Sequence, residues 1–266
     1  MGHYIVFVHG IGEQQPGSYS AFGERLRDAY ESAVKKTGKP KLASDSFEWE
    51  EAYWADITQP DQQVMKSKVG MKGILRQFSI GSIGDVVAYS KLPYPPDKYG
   101  EIQKRFAETI NKLSQKAYKN ADTGASLTVI AHSLGSVIAS DGIYDLTSKN
   151  ALPQNLKLDN FFTMGSPIAL YGLRYGLANF TKPVRPKLWV NFYYPQDLIA
   201  FPLKTLNTAY ASAVAEDNSL SPGGGTGFIS GLIRQFEAML PLVGIASHSW
   251  YFTDTRVINK IAESLI

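Results

Sequence analysis

The chain has 266 residues, of which 44% are hydrophobic and 19% charged, enough to bury a large core as one domain over 1–266 and too apolar for wholesale disorder. The net charge of +3 is small and dispersed, which excludes an electrostatic case for nucleic acid, and the absence of cysteine excludes disulfides, thiol nucleophiles and thiolate metal sites. No apolar run of about 18 residues occurs, and the chain enters a strand pattern at once without a basic and apolar leader, so a soluble, cytoplasmic protein is expected unless a leader has been removed.

In chain order, residues 3–8 form an apolar β-branched and aromatic run, a strand buried on both faces, ending at His9-Gly10-Ile11-Gly12. Residues 20–37 place Phe22, Leu26, Ala29, Tyr30 and Val34 at helical spacing, closed by Gly38 and Pro40. A strand around Phe47 and Trp49 follows. Its Glu48, Glu50 and Glu51 read as a solvated strand end, since no histidine or second carboxylate cluster stands at ligand spacing; no metal and no cofactor are expected. Residues 60–100 break the alternation, with several glycines, a set of apolar residues and Pro93, Pro95 and Pro96, and read as an apolar insertion. Helix returns at about 101–119, with Ile102, Phe106, Ile110, Leu113 and Ala117 on one stripe.

Residues 126–140 are the centre of the chain. Leu127, Thr128, Val129 and Ile130 form a short strand, and Ala131-His132-Ser133-Leu134-Gly135 turns it into a helix running to about 147. Small residues two before and two after Ser133 suit a strained turn in which backbone approaches backbone. This pentapeptide resembles the Gly-x-Ser-x-Gly nucleophile elbow of α/β-hydrolases, in the Ala-x-Ser-x-Gly form of some lipases. The resemblance implies an α/β-hydrolase fold: a mostly parallel central sheet, helices on both faces and apolar lid-like insertions. It also implies that Ser133 is the nucleophile, that the Leu134 backbone N–H lies at the oxyanion, and that His9-Gly10-Ile11 is the oxyanion loop with Ile11 giving the second N–H. The Gly165-Ser166-Pro167 that follows the strand at 158–164 is similar to a segment of many lipase-like hydrolases.

The order implied by the resemblance is nucleophile, acid, histidine. Of four histidines only His248 follows Ser133; His3 starts a strand, His9 takes a hydrogen-bonded structural place beneath the loop, and His132 is expected to point away from the nucleophile. Asp197, just beyond the strand at 188–194, fits the acid. Asp217 is the alternative, although it and Glu216 trail a helix. Asp159 starts a strand at the wrong end of the sheet, and Glu237 lies in a second apolar insertion at 218–246. The expected activity is serine hydrolysis of carboxylic esters, small-molecule or lipid. Thioesterase, amidase or acyltransferase chemistry on the same residues is the alternative, as is a silent relative that acts as a binding module and lacks part of the set. The two insertions are expected to close as lids over an acyl pocket and leave room for transient contact with a lipid surface. They share nearly the same hexamer, at 73–78 and 231–236, which reads as chance similarity. The sequence leaves the oligomeric state open.

Overall fold

The computed structural model describes residues 2–11, 14–38, 47–69, 89, 97–122, 125–221 and 246–266. Six strands form one sheet: β1 His3–Val8, β2 Phe47–Glu51, β3 Ala125–His132, β4 Leu156–Met164, β5 Leu188–Tyr193 and β6 Glu216–Ser219. The helices are α1 Ser20–Lys36, α2 Ala55–Val69, α3 Lys98–Lys119, α4 Leu134–Ser148, α5 Ile168–Tyr175, α6 Thr208–Ala213 and α7 Thr255–Glu263. Every strand pair is parallel, which makes this an α/β fold. Parallel neighbours need crossovers, and the helices that supply them cover both faces of the sheet. The central strands are apolar on both sides for that reason. In β1, Tyr4, Val6 and Val8 pack with Ile102, Phe106 and Ile110 of α3 and Val137 of α4, whereas Ile5 and Phe7 face Phe22 and Leu26 of α1 and Val257 and Ile261 of α7.

The strand order is β2-β1-β3-β4-β5-β6, so the chain leaves β1 in one direction for β2 and then starts β3 on its other side. In such a sheet a crevice opens at the carboxyl ends of the two strands that flank the switch, here β1 and β3. The register fills in the detail. Val8 pairs with Ala131, His132 with Met164, and Met164 with Phe192. Residues 9–10, 133, 165 and those just after β5 are thereby brought to one edge.

Several elements differ from expectation. Residues 60–69 continue α2, in which Pro60 forfeits one backbone N–H without ending the helix. Residues 98–100 begin α3, capped by the Asp97 carboxylate, which accepts from Gly100 N at 3.0 Å. Residues 216–219 form β6, so Asp217 is a strand residue opposite Asn191. Apart from these ends and a few single residues, both expected lids and both hexamers lie outside the described residues. Among the described residues no helix is long and apolar enough to cross a membrane.

Candidate active site

Ser133 stands between β3 and α4 at φ 54°, a left-handed conformation that costs a residue with a side chain about 1–3 kcal/mol. The surroundings hold it there. Its N–H donates to Met164 O at 2.9 Å, and its carbonyl accepts from Ser136 N at 2.9 Å and Ser136 Oγ at 2.7 Å. Two glycines interlock the turn with the loop after β1. A Cβ on Gly135 would lie 2.3 Å from Val8 O and 2.4 Å from His9 O, and one on Gly10 would lie 2.5 Å from Ser133 Cβ and 3.1 Å from its Oγ. The backbone of the β1 loop therefore rests directly on the elbow, as expected. Leu134 is the first residue of α4, where backbone N–H groups have no acceptor within the helix. Ile11 follows Gly10 and packs half-buried against the core.

His248 reaches the same place from 51 residues beyond Asp197, and its Nδ1 donates to Asp197 Oδ2 at 2.8 Å. The ring packs over Gly165, whose Cβ, if present, would fall 2.9 Å from His248 Cε1. With the carboxylate holding Nδ1–H, the lone pair sits on Nε2, which is buried and has no hydrogen-bond partner among the described residues. No hydrogen bond joins it to Ser133 Oγ. Asp217 is not at this site. Its carboxylate accepts from Asn191 Nδ2 at 2.8 Å, Leu203 N at 3.0 Å and Lys204 N at 2.8 Å, and so fastens the loop that follows Asp197.

Sequence reasoning missed Tyr251. Its hydroxyl donates to Asp197 Oδ2 at 2.8 Å and accepts from Tyr194 N at 3.0 Å, while Asp197 Oδ1 accepts from Ile199 N at 3.2 Å. Burial, and then the Asp197 charge, push the phenol far above its usual range, so it remains a donor. Nothing in the run Ser-His-Ser-Trp-Tyr-Phe distinguishes this tyrosine from a core aromatic. The loop that carries His248 crosses the face onto which His132 projects, so the side chain packs on His248, with ring centroids 4.5 Å apart, and its Nε2 donates to His248 O at 2.6 Å.

His9 takes the structural place expected of it. Nδ1 donates to Gly10 O at 2.7 Å, Nε2 accepts from Trp54 N at 3.1 Å, and the imidazole stacks on the Trp54 ring at 4.9 Å. These partners fix a neutral tautomer, and burial lowers the pKa from 6.5 to about 4. As pH falls from about 7.5 to 4 the unfolded chain takes up a proton that the folded chain refuses. The stability contributed by neutral His9 is therefore complete above about pH 7.5 and is lost towards pH 4, by about 3 kcal/mol. Thermal melts between pH 7.5 and 4.5 should show this fall, and the non-titrating His9→Gln should flatten the profile; equal slopes would show that His9 does not contribute.

Among the described residues no group of three or more His, Cys, Asp or Glu side chains could hold a metal ion. A cavity of about 180 Å³ lined by Tyr99, Val137, Asp141, Ile168, Tyr171 and Phe180, among others, runs beside α4 and does not include Ser133, Asp197 or His248. No family model matches the chain, and no curated protein matches it. A solved structure from Xanthomonas campestris pv. campestris, described as a "putative hydrolase of the alpha/beta superfamily", is similar over 93% of this chain and 96% of that one. Its identity is 14% and its TM-score 0.38, a likeness that says nothing about chemistry.

Proposed function

We propose that the chain is a serine hydrolase that cleaves carboxylic esters, small-molecule or lipid, through an acyl-enzyme on Ser133. The observation that carries this reading is the 2.8 Å bond from His248 Nδ1 to Asp197, which leaves the Nε2 lone pair without a partner among the described residues, on a ring that packs against His132, the residue before the strained Ser133. A serine hydroxyl is a weak nucleophile until a positioned base takes its proton. In the proposed cycle His248 Nε2 accepts the Ser133 proton as Oγ forms a bond to the ester carbonyl carbon. Asp197 stabilises the resulting imidazolium, and the N–H groups of Ile11 and Leu134 receive the negative oxygen. Collapse breaks the carbon–oxygen bond to the alcohol, which leaves with the proton from Nε2. Water, deprotonated by the same nitrogen, then releases the acid and restores Ser133.

The test uses p-nitrophenyl esters from acetyl to octanoyl, with a fluorophosphonate probe alongside. An initial burst of about one p-nitrophenol per chain and a label on Ser133 are expected. A label on another residue, or the absence of turnover across the whole panel, would refute the reading.

A further inference from the structure

We propose that His132 is a positioning residue for His248: its Nε2–H tethers the His248 backbone carbonyl and its neutral ring forms the floor on which the His248 imidazole rests. The inference rests on the hydrolase reading above and adds a residue to it. A carbonyl can only accept, so the 2.6 Å contact with His248 O requires the proton on His132 Nε2. In the neutral ring Nδ1 then carries the lone pair. That atom is buried without a hydrogen-bond partner among the described residues, and it lies 3.0 Å from where a Cβ on Gly10 would be. An orphaned acceptor in the interior is a cost that an aliphatic or phenyl side chain would avoid. Its partner atom Nε2 gives the reason for a histidine here, since it fixes the one loop that must deliver the base.

The geometry makes the tether specific. His248 is held at its side chain by Asp197 and at its backbone by His132, while Phe252 meets the His132 ring edge-on at 4.7 Å. Two anchors on one residue fix both the position of the ring and its rotation, and small displacements of a catalytic group are costly. Neutrality is part of the role, because the ring 4.5 Å away must become cationic in turnover. Among the described residues the titratable groups that face His132 are His248, Tyr251 and His9, and Asp197 stands behind the first two, accepting from His248 Nδ1 and Tyr251 OH. Burial holds His132 well below the usual imidazole range, and the charge of His248 adds to the effect.

The test combines spectroscopy with turnover on the full chain labelled with ¹⁵N-histidine. In the wild type one histidine, identified by its loss in His132→Phe, should remain a neutral Nε2–H tautomer as the pH is lowered through the usual imidazole range. In His132→Phe the hydrogen-bonded Nδ1–H signal of His248 should broaden or disappear. His132→Gln, whose amide nitrogen can reach the same carbonyl, should restore it. On p-nitrophenyl acetate His132→Phe should lower kcat by about 10- to 100-fold with little change in KM, and His132→Gln should recover most of the loss. An unchanged His248 signal in folded His132→Phe, or an Nδ1–H tautomer for His132 in the wild type, would overturn the proposal. The tautomer measurement needs no variant beyond assignment, so misfolding of His132→Phe leaves it decisive, with His132→Gln supplying the assignment. Absence of wild-type turnover would refute the hydrolase reading, while the nitrogen spectra would still decide the role of His132.

Discussion

Ser133→Ala should lower kcat for p-nitrophenyl esters by about 10⁴- to 10⁶-fold and leave the melting temperature close to that of the wild type. The turn does not depend on the hydroxyl. It is held through the Ser133 backbone, by the bond to Met164 and the two from Ser136, and alanine keeps the Cβ that rests against Gly10. Only the nucleophile is lost. Ser133→Gly provides a second measurement: it should be equally inactive but melt higher, because glycine at φ 54° has no Cβ penalty and strain of about 1–3 kcal/mol is released. Stability and activity would then move in opposite directions at one residue, as expected where strain is held for function. Ser133→Ala retaining more than about 1% of kcat would show that another group forms the acyl-enzyme, however well folded the variant is.

The parts of this architecture that sequence reveals are those whose physics is local. Strands β1, β3, β4 and β5 are buried on both faces and therefore read as continuous apolar runs, while α1 and α3 show their stripe because one face meets solvent. The elbow is legible for a steric reason: Gly135 lies against the carbonyls of Val8 and His9, so the small residue is required by the fold and visible in the chain. What stayed hidden depends on contacts made elsewhere. Glu216-Asp217-Asn218-Ser219 has no apolar alternation, since β6 lies at the edge of the sheet and Asp217 is occupied by loop N–H groups. Pro60 reads as a breaker although α2 runs through it. Tyr251 and His132 owe their places to a loop that returns from 246 onwards, and neither spacing nor residue type announces which aromatic or imidazole it will touch.

The acid is the residue on which sequence left two choices, and its substitution is the second large effect. Asp197→Asn should reduce kcat by about 10³- to 10⁴-fold with KM little changed. In the folded chain Oδ2 accepts from both His248 Nδ1 and Tyr251 OH, while Oδ1 accepts from Ile199 N. All three partners are donors. An asparagine can offer its oxygen to one side only, so its NH₂ must face either Ile199 N–H or the pair formed by His248 and Tyr251. In the second orientation the amide favours the wrong His248 tautomer, with the proton on Nε2, where it blocks proton uptake from Ser133. In the first, the imidazolium formed in turnover still lacks a negative partner. Asp217→Asn is the matched control. Its carboxylate braces Leu203 and Lys204 and does not meet His248, so the substitution should leave kcat within about threefold and lower the melting temperature by several degrees, because charge-assisted bonds to backbone N–H are weakened. If instead Asp217→Asn removes activity and Asp197→Asn keeps it, the acid is Asp217, and the hydrogen bond between Asp197 and His248 orients an imidazole that does not serve as the base.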